Sequence, residues 1–300
     1  MAINPRLRGL FPATSTPFAQ SGDLDERALA RIIERNVSQG AAGFFICGSA
    51  AECFLLSHEE RKRAMSVAKD ASRGTARIAN ISALSPDEAL ALGRHAKALG
   101  YDAVATTAPF FYRYSQREIA RYLSTLHENL DMALMLYNFP GNTGVTIELH
   151  DPDIRAVFTD GTLSGVKHTS LDLLMLERML RLSDNITVLS GTEECFLAGL
   201  ASGSHGAIGA TFGFSLPMFM DIKRAFDAGD LPRARALQAR ANDLTDVMGR
   251  LGIIPSIKHA LRLSGIECGA ARPPFLELTA ADRDALEAAL ASSGVLEYYN

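Results

Sequence analysis

The feature that most constrains this chain is a repeat in its hydrophobicity. Short runs of apolar, β-branched or aromatic residues recur eight times, each followed by a longer stretch with helical spacing, at intervals of about thirty residues. The strand-like runs are 10–17, 43–48, 76–82, 103–108, 132–138, 163–168, 186–191 and 206–212. Between them, helical patterns fill 25–39, 57–72, 86–99, 115–127, 171–182 and 193–202, two of them opening on capping boxes, Ser57 with Glu60 and Ser115 with Glu118. Nearly continuous apolar strands belong to parallel sheets buried on both faces, and eight right-handed β/α crossovers close such a sheet into a TIM barrel. After the eighth unit only helices follow, at 231–250, 257–263 and 280–291. The expected fold is therefore α/β: a (β/α)8 barrel over 1–225 carrying the catalytic site, with a C-terminal helical appendage over 226–300. A chain of 300 residues, 47% hydrophobic, is long enough to bury that core.

Charge narrows the partners. The 34 acidic and 30 basic residues leave a net charge of −4 without any basic run, so neither nucleic acid nor an anionic membrane is expected, and the ligand should be a small molecule. Cys47, Cys53, Cys195 and Cys268 lack metal-finger or C-x-x-C spacing and read as apolar core residues of a reducing compartment. The start, Met1-Ala-Ile-Asn-Pro-Arg6, has no apolar leader, so a cytoplasmic location is expected. The stretch 195–220 has no Asp, Glu, Lys or Arg and is long enough to span a bilayer, but Gly and Pro interrupt it, and it reads better as a buried helix-strand-helix.

Barrel enzymes work at the C-terminal ends of their strands, which places the candidate chemistry. Lys167 ends the sixth run and is the only lysine between Lys97 and Lys223. An ammonium taken out of water loses its proton more easily and becomes a nucleophile toward carbonyl carbon; alternatively, a strand-end lysine snorkels to solvent or pairs with a carboxylate. Tyr137 ends the fifth run and reads either as an amphipathic aromatic or, beside Lys167, as a proton relay. Ser49 and Glu52 in Gly48-Ser-Ala-Ala-Glu52 match a capping box opening the second helix, and the same turn could seat a substrate carboxylate. Glu193 and Glu194 fall in a first helical turn, where the macrodipole favours acids, or they bind substrate hydroxyls. Thr169 is a turn residue or a pocket donor, and His168 reads as structural. Gly203, Gly206 and Gly209 could form a phosphate seat, but no basic residue lies near them. Dinucleotide, nucleotide, zinc-protease and esterase signatures are missing.

Taken together, Ala13-Thr-Ser-Thr-Pro-Phe18, Gly48-Ser-x-x-Glu52, Tyr137-Asn-Phe-Pro140, Gly165-Val-Lys-His-Thr169, Ser190-Gly191 and Gly206-Ala-Ile-Gly209 resemble the dihydrodipicolinate synthase / N-acetylneuraminate lyase family of Schiff-base class I aldolases. The resemblance implies that Lys167 condenses with the ketone of pyruvate or another 2-oxo acid and that Tyr137 shuttles protons. It also implies that the Ser49-Ala50 turn holds the carboxylate and that Thr169, Gly191, Glu193, Glu194 and Ile208 line the substrate. No metal or organic cofactor is expected, because the imine is the electron sink, and a homotetramer is the usual assembly. Several positions depart from the family pattern. Ala50 and Ala51 replace a hydroxyl residue and a Gly. Asn142 stands where dihydrodipicolinate synthases carry an Arg. Phe111 stands where family members send an aromatic across a dimer interface, so the usual relay from the neighbouring subunit lacks its hydroxyl unless Tyr112 substitutes. Ala210 stands where the neuraminate lyase branch has a hydroxyl, while Thr169 and the Glu193-Glu194 pair match that branch, in which the first acid is commonly Asp. The expected activity is cleavage or condensation of a 2-keto-3-deoxy sugar acid or sialic-acid-like 2-oxo acid. The alternatives are dihydrodipicolinate synthesis, a sugar acid dehydratase on the same scaffold, and a non-catalytic 2-oxo acid binding protein.

Overall fold

Each apolar run supplies one strand of a single parallel sheet: β1 Gly9–Pro12, β2 Gly43–Ile46, β3 Ala76–Asn80, β4 Ala103–Thr106, β5 Leu134–Asn138, β6 Gly165–His168, β7 Thr187–Ser190 and β8 Gly206–Gly209. In this computed structural model, which describes residues 4–299, the strand order is β1-β8-β7-β6-β5-β4-β3-β2. Residues 1–3, where a leader was sought, lie outside the described residues. The sheet closes between β1 and β2 through the Ala13↔Phe45 bridge, with Ala42 N donating to Leu10 O at 3.0 Å and Thr14 N to Phe45 O at 3.2 Å. The fold is the expected TIM barrel. Every strand is shorter than its apolar run: at β5 and β6 the run begins two residues before the strand, and at β1 to β4 and β8 it continues into the loop at the barrel mouth, where Thr14, Ser15 and Thr16 are 2–3% exposed yet outside the ladder.

Side-chain alternation divides the core in two. Phe11, Phe45, Ile78, Ala105, Met135, Leu189 and Ile208 fill the barrel interior, whereas Phe44, Ile46, Val104, Leu136, Val166 and Val188 face outward onto the helices. Lys167 is in register with Tyr137 on β5 and Leu189 on β7, so it projects into the interior with them.

The helices are α1 Glu26–Ser38, α2 His58–Ala71, α3 Pro86–Ala98, α4 Gln116–Leu130, α5 Pro140–Thr143, α6 Pro152–Thr159, α7 Leu173–Leu182, α8 Phe196–Ala201, α9 Phe212–Asp227, α10 Leu231–Leu251, α11 Ile253–Leu263 and α12 Ala280–Ser293. Both capping boxes at Ser57 and Ser115 form. The 195–220 segment is α8, β8 and the first part of α9, and no helix among the described residues is long and apolar enough to cross a membrane. The pattern missed α5 and α6, which are too short to show a period; each opens on a proline whose fixed φ suits a first turn. Helix α11 begins four residues before the expected 257, because Pro255 sits in its first turn, where the missing N–H leaves no hydrogen bond unmade. In the appendage, α10 packs between α9 and α12, and α11 turns back toward the barrel.

Candidate active site

A cavity of about 620 Å³ opens at the C-terminal ends of the strands. Its walls bring together Ser49, Ala50, Tyr137, Lys167, Thr169, Gly191, Glu193, Glu194 and Ile208, with Asn142 and Ala210 nearby. Residues from separate repeats converge there because each lies at the end of its strand or in the loop that follows.

Lys167 is 5% exposed. Its Nζ lies 4.3 Å from the Phe45 ring centroid and 4.2 Å from that of Tyr137, and among the described residues no carboxylate comes within ion-pair distance of it. Burial lowers this amine to about 7, with the charge of Glu193 pulling the other way. A sizeable neutral fraction is therefore present near neutral pH. Tyr137 stacks on Phe139 and meets Phe45 edge to face, which fixes its ring. Burial pushes its phenol up, so it stays protonated, and its hydroxyl lies 3.2 Å from Ser49 Oγ. The Thr169 hydroxyl lies beside that phenol without a well-formed hydrogen bond. It packs on Gly191, where a Cβ would meet Thr169 Oγ1 at 2.0 Å, so only glycine leaves room for it.

Ser49–Ala51 is a short 3₁₀ turn entered and left through left-handed residues, Cys47 and Glu52, both at φ 58°. The capping box expected of Ser49 and Glu52 does not form, and α2 opens instead on Ser57. Glu52 is drawn away by a buried ammonium: its Oε1 is 2.8 Å from Lys258 Nζ, while Oε2 accepts from Arg272 N at 2.7 Å.

Glu193 is buried with both oxygens engaged: Thr211 N donates to Oε1 at 2.7 Å and Thr211 Oγ1 to Oε2 at 2.6 Å. Burial raises its carboxyl to about 7. Glu194, next along the turn, is exposed and faces the cavity. His168 points out of the barrel; Asn138 Nδ2 donates to its Nδ1 at 2.9 Å, and its Nε2 lies 2.9 Å from Asp172 O, an arrangement that anchors the loop behind β6. Phe111 and Tyr112 stand outside the cavity, 73% and 67% exposed, ring against ring on the loop after β4.

Five residues escaped the sequence reading. Phe45 forms the floor under Lys167, Thr211 holds Glu193, and Ile253, Ile254 and Ile257 close the cavity from the appendage. The isoleucines carried a signal, since their i, i+1, i+4 spacing is a helical stripe, but starting the helix at 257 hid it.

A parallel barrel whose mouth holds a desolvated amine, a fixed phenol and a preformed turn defines a lyase of the Schiff-base aldolase class. Residues 6–293 match the dihydrodipicolinate synthetase family. An N-acetylneuraminate lyase of Rhizobium meliloti (strain 1021) is 34% identical over 288 residues, covering 95% of both chains. The native N-acetylneuraminate lyase (sialic acid aldolase) of Aliivibrio salmonicida superposes with a TM-score of 0.91 at 26% identity, covering 98% of this chain and 99% of that one. CdNal of Clostridium difficile, solved with mannosamine, gives 0.89 at 29% identity over 98% and 99%. The chain belongs to the dihydrodipicolinate synthetase family.

Proposed function

We propose that the protein cleaves, or in reverse condenses, a 2-keto-3-deoxy sugar acid or sialic-acid-like 2-oxo acid, with pyruvate as the three-carbon product. The observation that carries this reading is Lys167: a buried amine over two aromatic rings, lowered to about 7, in register with Tyr137. The Ser49-Ala50 turn receives the 2-oxo acid carboxylate, and neutral Lys167 attacks C2. Loss of water gives a protonated imine that accepts the electrons of the breaking C3–C4 bond. Tyr137, linked to Ser49, relays the proton leaving the C4 hydroxyl, so the distal fragment departs as an aldehyde. The enamine of pyruvate is then protonated and hydrolysed.

A polyhydroxylated distal chain is supported by Glu194, Thr169 and Asn142 at the mouth and by the relatives named N-acetylneuraminate lyase. Asn142 supplies no cation for a second carboxylate, which disfavours dihydrodipicolinate synthesis. A dehydratase would use the same imine and expel a hydroxyl; free pyruvate among the products separates the two. We further assign the chain to a cytoplasmic homotetramer, a reading supported by its four free thiols and by the exposed Phe111-Tyr112 loop, which is available to a neighbouring subunit. The deciding experiment is borohydride reduction in the presence of pyruvate followed by peptide mass spectrometry. A stable adduct on Lys167 is the expected result, and its absence overturns aldolase and dehydratase readings alike.

A further inference from the structure

Behind the Ser49–Ala51 turn, on the side away from the cavity, lies an assembly of buried charge. The side chains of Glu52 and Lys258 are 0% and 3% exposed and stand 2.8 Å apart. Lys258 also donates to Ala270 O at 3.0 Å, and its Nζ lies 4.1 Å from the centroid of the Phe18 ring. Arg272 lies 4.2 Å from the same centroid, pairs with Glu60, and donates to Leu55 O at 2.7 Å and Gly22 O at 2.9 Å. Its backbone N–H donates to the second oxygen of Glu52. Two residues of the appendage and its following loop thus grip one carboxylate on the barrel's second loop.

That carboxylate belongs to a left-handed residue. L-residues take this conformation at a cost, and they keep it where the surroundings over-determine it, typically at functional sites. The turn is held from three sides: Asn80 Nδ2 donates to Cys47 O at 2.7 Å, Thr16 Oγ1 donates to Ala51 O at 2.8 Å, and the appendage grips Glu52. An apolar pair of similar volume would staple the appendage to the barrel at least as well, since a buried ion pair is poor value as a staple. What a charge pair adds is direction: it fixes where the carboxylate points and so helps to hold Glu52 in its left-handed conformation.

We infer that Lys258 and Arg272, acting through Glu52, are positioning residues that hold the Ser49-Ala50 turn in the shape that receives the substrate carboxylate. This rests on the Schiff-base reading above. The test uses the full-length chain with pyruvate as the probe, measuring how borohydride-trapped adduct on Lys167 depends on pyruvate concentration. In Lys258→Met the half-saturating pyruvate concentration rises about tenfold while the maximal trapping rate changes by less than about threefold, a loss of binding without a loss of chemistry. Glu52→Gln, which keeps an acceptor for Arg272 N–H and drops the charge, moves in the same direction by a smaller factor and decides the matter should Lys258→Met fail to fold. Half-saturation within about threefold of the wild type, alongside a lowered Tm, overturns the inference and leaves only a stability staple. A wild type that forms no adduct overturns the activity and this inference together; a wild type that does, with unshifted variants, overturns this inference alone.

Discussion

Lys167 and Lys258 are buried to nearly the same extent, 5% and 3% exposed, and each ammonium lies about 4 Å from the centroid of an aromatic ring. They differ in their polar partners. Lys258 has Glu52 at 2.8 Å and the carbonyl of Ala270, whereas Lys167 has no carboxylate within reach among the described residues, because Glu193 has turned both its oxygens to Thr211. Burial lowers both amines, and at Lys258 the charge of Glu52 and its hydrogen bond oppose that lowering. A buried lysine given a counter-charge becomes a fixed piece of structure. Deprived of one, it becomes an amine ready to react.

The contrast is most easily broken at its reactive end. Lys167→Met removes the proposed nucleophile, and turnover with adduct formation should fall on the order of 10⁴-fold or more, while circular dichroism reports an unchanged fold. Lys258→Met should do the reverse. It leaves Glu52 as an unpaired buried charge, a loss of roughly 3–5 kcal/mol, and since each kcal/mol moves Tm by about 2–4 °C in a chain of this size, thermal melts register it. Tyr137→Phe should lower kcat about 10²–10³-fold, with a smaller change in KM, because the proposed relay acts only while protons move.

The pH dependence sharpens the same comparison more finely. The rate of adduct formation should climb about tenfold per pH unit below about 7 and level off above it, with the same midpoint in Lys258→Met. Stability carries the opposite face of that shift. Unfolded, Lys167 keeps its proton up to about 10.5; folded, only to about 7. The unfolded state therefore binds more protons between these values, so this residue's contribution to stability rises with pH across that window and is at its worst below 7. Lys167→Met should accordingly melt several degrees above the wild type at pH 6, with the gap closing toward pH 10. A wild type that melts higher at pH 6 would mean that Lys167 has found a counter-charge.

The strands and the meeting of Lys167, Tyr137 and Ser49 at one mouth were legible because both depend on local order: apolar runs mark strands, and barrel topology places whatever follows them at one end. Strand ends were not legible, since buried loops such as Thr14 to Thr16 look like strand in composition. Phe44 and Phe45 are adjacent and equally buried, and only the register of β2 decides that Phe45 is the one beneath the amine. Glu52 was misread as a cap because its real partners are remote; Arg272 lies 220 residues further on. The same distance concealed Ile253, Ile254 and Ile257, which meet the cavity only after the appendage folds back.

The clasp between Glu193 and Thr211 bears on how this site can evolve. A carboxylate with both oxygens committed cannot be recruited by a single substitution in the substrate, nor released by a single substitution in the pocket without leaving a buried acid bare. Changes at 193 and 211 should therefore be strongly epistatic, each harmful alone and tolerable together. A lineage adapting this barrel to a new ligand would meet a valley wherever its path ran through Glu193, and none of that kind at Glu194 or Ala210, which line the same cavity.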